Sequence, residues 1–447
     1  MNIYFPLETQ QRELVGRVLF CIQVAQKGHK AFFGHKSDLF PIIPKLKKGI
    51  FVHKSIQARK LSQIKYLKSL GHINCAIDEE GLMISDENEY FNYRCTKECL
   101  DELDFFFAWG EKHKSTLIKK YPYLRKKIIS AGNSRIDILK NQNNLANKVL
   151  KIKEKYGDFI LFVTKFGRYN LKKRGLGSWA EMAKINNPQI SEENYNKILN
   201  SEKHERENML LMMQAIRNLS KEIPSQNILI RPHPSEEIKT WNEFVSSLDV
   251  KNVKNVKVIF GSDSINPWLI AAKRVISHNC TTSLESALLG NISINYLPFL
   301  KEEFEYDIPK ACSHTVRNYF ELKDLIVKKR EIKINEELIQ HHVHNYGEKT
   351  FTDYFIAQIE KSYQNSIHSE ENINKMIILL PFAKIYRNIR RYLSLYFGNL
   401  RRRRGLSLQK FPGFNLGNVR DIARMYNLDQ KIIIKEVWPN VFMFSKK

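Results

Sequence analysis

Two short stretches carry residue types that suit a phosphate. Arg231-Pro232-His233-Pro234 ends the apolar run Asn227–Arg231. The prolines restrict the backbone and remove two N–H donors, so His233 is held in few conformations. Its ring could donate to a phosphate oxygen, and as imidazolium it would stabilise charge building on a departing nucleotide. Arg231 could pair with the same anion through two N–H groups. A stiff turn with a bystander histidine accounts for the same residues. Some forty residues on, Thr281-Thr282-Ser283 precedes a helix-like run ending at Gly290. Hydroxyls there are first of all helix caps. A helix start with free N–H groups and hydroxyls also attracts anions. Glu285, in the first turn, could complement the helix dipole or accept from ribose hydroxyls.

Three further clusters lie just after apolar runs. Asp78-Glu79-Glu80-Gly81 could offer a general base to an acceptor hydroxyl, or be a charged surface turn. Gly132-Asn133-Ser134-Arg135-Ile136-Asp137 begins with a turn signal, and its Arg135 and Asp137 could pair locally. Residues 164–170 bring Lys165, Gly167 and Asn170 to a place where a phosphate could approach. The sequence has no P-loop, no Gly-x-Gly-x-x-Gly, no zinc-protease or nucleophile-elbow motif, and no clear Asp-x-Asp. No metal site is expected.

These clusters need elements to hold them. Apolar runs at 2–6, 30–34, 48–53, 73–77, 103–109 and 128–131 alternate with helical patterns at 8–26 and 56–70. A second series has strands at 158–164, Asn227–Arg231, 256–260, Arg274–Ser277 and 292–296. Helices are expected around 201–221 and at 241–248, 265–272, 283–289 and 319–328. Such alternation predicts parallel sheets with helices on both faces. In open α/β sheets ligands bind beyond the carboxyl ends of strands, where all five clusters fall. The expected architecture is α/β, with two doubly wound Rossmann-type domains facing a cleft. Their bounds are 1–147 and 148–365, joined by the asparagine-rich stretch 141–147. A basic helical C-terminal extension occupies 366–447.

The 447 residues are 43% hydrophobic and carry a net charge of +25, which points to an anionic partner. About +11 of that charge lies beyond residue 365 and includes Arg401-Arg402-Arg403-Arg404. Tyr386, Ile389, Leu393 and Phe397 fall on one helical face, with Arg387, Arg390 and Arg391 near its border. Such a helix suits an anionic membrane surface, or it docks apolar face down on the body; both can hold. Six cysteines fit no secreted disulfide framework, and Cys95-x-x-x-Cys99 lacks a second half for zinc. Reduced thiols, the absence of a signal-peptide pattern and the lack of a long apolar span predict a cytoplasmic protein.

The clusters together resemble the bacterial surface polysaccharide (surface carbohydrate) biosynthesis proteins. These are similar to GT-B capsule Kdo transferases, polysialyltransferases and CDP-glycerol glycerophosphotransferases. The resemblance rests on Asp78-Glu79-Glu80-Gly81, Gly132–Asp137, residues 164–170, Arg231–Glu236 and Thr282–Ala287. It implies a GT-B fold, with the acceptor domain first and the nucleotide domain second. It also implies catalytic roles for Asp78 and Glu79 on the acceptor side and for His233 at the donor phosphate. Arg231, Thr281, Thr282, Ser283, Glu285, Lys165 and Asn170 would then line the nucleotide site, with Asn133 and Arg135 secondary in the cleft. Two departures stand out. Serine comes after Gly132-Asn133 where relatives usually have proline, and Lys165 replaces the usual asparagine of Thr-Asn-Phe-Gly.

The expected activity is transfer of a sugar, from a CMP-activated acidic donor, to a growing surface glycan. The partners would be a nucleotide-sugar, a glycan or lipid-linked glycan, and the inner face of the plasma membrane, with no cofactor and no specific nucleic acid. The rivals are a CDP-polyol phosphotransferase of the same fold and a non-enzymatic basic protein that binds RNA or membrane.

Overall fold

The computed structural model describes residues 1–8, 10–84, 86–140, 145–248, 253–261, 264–328, 333–363, 373–396, 413–428 and 430–447. Its strands in chain order begin with β1 (Asn2–Leu7), β2 (Lys30–His35), β3 (Ile50–His53), β4 (Ile73–Ile77), β5 (Phe105–Ala108) and β6 (Ile128–Ser130). Next come β7 (Phe159–Val163), β8 (Asn170–Leu171), β9 (Gly175–Leu176), β10 (Asn227–Arg231), β11 (Val256–Val258), β12 (Arg274–Ser277), β13 (Ser293–Tyr296) and β14 (Ser313–Val316). The last two are β15 (Ile432–Trp438) and β16 (Val441–Lys446). The chain divides into two compact units, Met1–Asn144 with Gln340–Lys447, and Leu145–Ile339.

In the first unit the strand order is β15-β16-β2-β1-β3-β4-β5-β6. Strands β1 to β6 pair in parallel, and β16 joins β2 antiparallel. Every residue of β1 is buried, as a central parallel strand covered on both faces requires. The Gln10–Gln26 helix covers one face with Val18, Phe20, Ile22 and Ala25.

The C-terminal residues complete this unit rather than forming a separate extension. His344 N–H donates to the Trp109 carbonyl at 2.7 Å, returning the chain to the carboxyl end of β5. Asn345, fully buried, donates to the Asn133 carbonyl and to Asp137 Oδ1, and accepts from Asn133 N–H. The Phe351–Ser362 helix then inserts Phe351 and Phe355 against Phe20 and Phe107. Phe442 of β16 stacks on Phe33 and Phe414, with centroids 5.7 and 5.1 Å away. The β15–β16 turn lies so close to β2 that a Cβ on Gly34 would fall 2.3 Å from the Asn440 carbonyl oxygen.

Two expected boundaries therefore change. The second unit ends at Ile339, not near 365, because the Phe351–Ser362 helix buries its apolar face in the first unit. The segment beyond 365 adds two strands to the first sheet, which its basic composition did not announce. Of the expected linker, residues 141–144 lie outside the described residues, and 146–147 already belong to the Ala146–Tyr156 helix. Leu393's side chain, Phe397 and Arg401–Arg404 are also outside the described residues.

The second unit has a wholly parallel sheet of order β11-β10-β7-β12-β13-β14. Its first strand, β7, lies between β10 and β12, so the winding direction reverses there. That reversal opens a crevice at the carboxyl ends of β7 and β12. Ile160, Phe162, Ile228, Ile230 and Ile276 face Met209, Met212, Ile216 and Leu219 of the Glu192–Glu222 helix, together with Trp241. The small hairpin β8–β9 and strand β14 were not expected from the sequence.

The C-terminal hairpin is part of the first unit's core, so truncating its central ring should cost core stability. We expect Phe442→Ala to lower the first unit's unfolding free energy by about 3–5 kcal/mol. Denaturant unfolding monitored by tryptophan fluorescence measures it, and a cost within error of zero would place the hairpin outside the core.

Candidate functional site

The site is organised by one buried carboxylate in the second unit. After β10 the chain turns sharply, and Glu236 N–H donates to the His233 carbonyl at 2.8 Å. Glu236 itself is 1% exposed. Its Oε1 accepts from Thr164 Oγ1 at 2.7 Å and from His233 N–H at 3.0 Å, and its Oε2 accepts from Trp241 Nε1 at 2.8 Å. Burial raises its pKa, and these donors oppose the rise. One side chain thus joins the loop after β7, the loop after β10 and the helix beyond. The two loops pack so closely that a Cβ on Gly167 would lie 2.2 Å from Ser235 Oγ.

His233 is exposed on this support. Ser235 N–H donates to its Nδ1 at 3.2 Å, and Ser235 Oγ lies 2.7 Å from the same nitrogen. A backbone donor on Nδ1 assigns the neutral ring's proton to Nε2. His233 therefore presents an N–H donor, the polarity a phosphate oxygen needs.

The crevice at the β7–β12 reversal is lined by Lys165, Arg168, His204, Glu205, His278, Asn279, Phe304 and Tyr306. Its enclosed part measures about 20 Å³, room for a water-sized group such as one phosphate oxygen. Lys165 Nζ donates to the Asn279 carbonyl at 3.3 Å and lies 4.8 Å from the centre of the Tyr306 ring. Arg168 N–H donates to Glu205 Oε2 at 2.7 Å, its Nε lies 3.8 Å from Oε1, and its guanidinium also holds Ser201 Oγ. Burial pushes the Glu205 carboxyl up to about 7, against the lowering pull of Arg168 and Lys165. His278 is held neutral by burial, with its pKa brought down to about 3. Its Nδ1–H donates to the Tyr296 carbonyl at 3.2 Å, leaving Nε2 as acceptor. Asn279, with φ of 45°, turns the chain out of β12 and ties the facing loop through Phe304 O and Tyr306 N–H. Two cations, a neutral imidazole and a carboxyl poised near neutrality can hold an anion and exchange a proton with it. Among the described residues, no three His, Cys, Asp or Glu side chains are placed as metal ligands.

Of the residues expected from sequence, Lys165 lines this crevice, and His233 stands on the adjoining loop. Arg231 does not line it: its guanidinium lies 5.6 Å from the centre of the Trp268 ring. Ser283 is fully buried with its Oγ 2.9 Å from Ser277 Oγ, at the junction of β12 and the helix that follows. Thr282 is buried beside Cys280 Sγ, and Thr281 caps the Thr282–Leu288 helix without a side-chain hydrogen bond. Glu285 is half-buried in that helix's first turn, outside the crevice lining. Asn170 is wholly buried: it donates to the Glu237 carbonyl and accepts from Thr240.

In the first unit, Asp78 and Glu79 are both buried in ion pairs. Arg94 donates to Asp78 through Nε at 2.9 Å and through its terminal nitrogen at 2.7 Å. Arg17 reaches Glu79 Oε1 at 2.5 Å and lies over the Phe5 ring. Both carboxylates are thus held by arginines, and burial raises the Asp78 carboxyl against the lowering pull of Arg94. Asn133 caps the Ser134–Asp137 helix through Oδ1 and is buried against Asn345. Arg135 is half-buried, and the expected partner Asp137 instead receives Asn345, Phe351 N–H and, at 3.6 Å, Lys140. At the β1–β3 reversal, Glu8 joins Lys36 and Lys54, and Glu13 also joins Lys54. Burial would raise the Glu8 carboxyl, but Lys54 and Lys36 overcome that and hold it at about 2. Beside it a hollow of about 420 Å³ is lined by Lys36, Phe40, Gln63 and Tyr66, among others.

Sequence reasoning missed Arg168, His204, Glu205, His278 and Asn279. The strand-end rule could have found His278 and Asn279, which come directly after β12. Nothing marked His204 and Glu205, which sit inside a 31-residue helix.

No protein-family model and no curated protein sequence matches the chain. Solved structures do match. A candidate UDP-N-acetylglucosamine 2-epimerase from Listeria monocytogenes is 13% identical, with TM-score 0.53 over 83% of this chain and 98% of that one. UDP-GlcNAc 2-epimerase from Neisseria meningitidis, bound to UDP-GlcNAc, is 12% identical, with TM-score 0.50 over 81% and 100%. The fold is GT-B-like. Two Rossmann-type units with parallel sheets agree with it, and at this identity the likeness extends to the fold alone.

The geometry makes two substitutions informative. Glu236→Ala leaves three donors without their acceptor and should destabilise the second unit by about 3 kcal/mol. Hydrogen exchange should then speed up at His233 N–H and through residues 164–170; unchanged exchange there would refute the tie. Glu205 has a folded pKa raised from 4.5 to about 7. Its contribution is full below 4.5 and is lost as pH rises through about 7. Glu205→Gln should therefore flatten the decline in the second unit's stability over that window, as read by melting temperature against pH.

Proposed function

We propose that the chain is an enzyme acting on a nucleotide-activated sugar, and within that class a glycosyltransferase that extends a surface glycan. One observation carries the reading: the crevice at the β7–β12 reversal sets Lys165 and Arg168 beside a carboxyl that titrates near neutrality. A glycosyl transfer breaks the bond between the sugar and the donor phosphate, so negative charge grows on that phosphate. Lys165 and Arg168 would stabilise it, and the Nε2–H of His233 would donate to the same phosphate group. The acceptor oxygen bonds to the sugar carbon as the sugar–phosphate bond breaks; the nucleotide leaves with the bonding electrons, the acceptor proton passes to solvent water, and Glu205 at the phosphate end can protonate the leaving phosphate oxygen. The enclosed space admits a phosphate oxygen only, so the nucleoside would lie outside it, toward His233.

The hollow of the first unit supports an acceptor there. Phe40 and Tyr66 could meet the apolar face of a sugar ring, and Lys36 an acidic group on it. The cytidine-linked acidic donor expected from the sequence resemblance stands beside a uridine-linked donor, since the Neisseria structure holds UDP-GlcNAc. A second reading, epimerisation of a UDP-sugar, takes its support from the same neighbour and needs no acceptor.

Melting curves with CMP, CDP, UDP and GDP decide first. A nucleotide at about a hundred times its Kd should stabilise the second unit by about 2.7 kcal/mol, a shift of about 5–11 °C. Lys165→Ala and Arg168→Ala should abolish the shift. Product analysis with the nucleotide-sugar that binds then separates transfer from epimerisation, because only epimerisation changes the donor without an acceptor. If no nucleotide shifts the melting curve while RNA binds in a salt-sensitive way, the enzymatic reading is wrong.

A further inference from the structure

The Ile373–Tyr396 helix of the first unit has two unlike sides. One side packs on the body. Ile373 and Met376 are buried in a cluster with Tyr4, Phe32, Val437 and Val441, and Ile377 is packed against it. Lys384 Nζ pairs with Glu436 at 2.6 Å, and Arg387 Nε pairs with Asp38 at 3.1 Å. Asp38 also accepts from Asn440.

The other side is apolar and faces solvent. Ile378 is 70% exposed, Leu379 53%, Phe382 70%, Ile385 58%, Tyr386 67% and Ile389 53%. At 3.6 residues per turn, positions 378, 382, 385 and 389 form one row, with 379 and 386 alongside it. Positions 373, 376, 377, 384 and 387 fall on the opposite side, the side seen to pack. The exposure is therefore not a poorly seated core face, because the helix already has its seat. Six large apolar side chains in three turns make a contiguous patch, and such patches mark an interaction surface.

The charge beside the patch says what kind. From 375 to 404 the sequence contains nine basic residues and no acid. Lys384 and Arg387 are paired inward, while Arg390, Arg391 and Arg401–Arg404 come later along the chain. An apolar row followed in sequence by a run of arginines complements an anionic bilayer, whose acyl region takes the row and whose headgroups take the charge. No helix among the described residues is long and apolar enough to cross a membrane, so this mode lies along the surface. We infer that the exposed face of the Ile373–Tyr396 helix docks the first unit on an anionic phospholipid surface. This inference does not depend on the glycosyl-transfer reading.

The full chain should sediment with phosphatidylcholine vesicles containing about a third phosphatidylglycerol, and about tenfold less with pure phosphatidylcholine. Bound protein should fall as salt is raised, because screening weakens the headgroup attraction. Phe382→Glu with Ile385→Glu changes two side chains that touch solvent, so the melting temperature should stay at the wild-type value while binding drops about tenfold. Replacing Arg401–Arg404 by glutamine should weaken binding and reduce its salt dependence. Equal binding to both vesicle types, or wild-type binding by the double glutamate variant, would overturn the inference. So would a concentration-dependent dimer that the same two substitutions disperse and that ignores vesicles, which would assign the patch to a second copy of the chain.

Discussion

A carboxylate shut away from water must be met by donors, and Glu236 makes that constraint into a scaffold. Three donors reach it from three segments: a hydroxyl after β7, a backbone N–H after β10 and an indole N–H from the next helix. An unmet buried carboxylate costs far more than a neutral polar group, so these partners cannot leave independently. The loop carrying Lys165 and Arg168 is thereby held against the loop carrying His233. The prolines around His233 limit that loop from within, and Glu236 limits it from beneath.

Much of the frame was legible in the sequence because its signals are local. β10 and β12 lie where their apolar runs and punctuating residues place them, and β1 to β6 arise from alternation with helical patterns. The strand-end rule also led to Lys165 and His233. It failed for residues whose roles are set by packing partners distant in sequence. Asp78 and Glu79 look like available acids in a linear reading. Arg94 and Arg17, on other elements, make them buried ion pairs. The contact of Ser283 with Ser277 was likewise not visible in a linear reading.

The domain boundaries differ from expectation for a related reason. Chain order suggests that residues after the second sheet belong to it. The Phe351–Ser362 helix and the β15–β16 hairpin instead bury apolar surface on the first sheet, whose edge at β2 would otherwise be open. An unpaired edge strand invites pairing with other chains, and an antiparallel hairpin from the same chain removes that exposure. The aromatic residues Phe414 and Phe442 were present to signal it, but the basic composition around them resembles a free tail. Glu205 and His204 were hidden differently. A long helix shows its register in sequence, yet not which of its polar residues faces a crevice.

Both sheets place charged side chains at the ends of their strands. In the first unit every acid described there is matched: Glu8 and Glu13 by lysines, Glu79 by Arg17, Asp78 by Arg94. Lysines hold Glu8 at about 2, whereas burial raises the Asp78 carboxyl against the pull of Arg94. In the second unit Glu205 keeps two cations near it and still titrates near neutrality, because desolvation outweighs their pull. An anion entering beside Lys165 and Arg168 would push that carboxyl further toward its protonated form, by repelling its charge and competing for the same cations. Binding and protonation would then be coupled at this crevice.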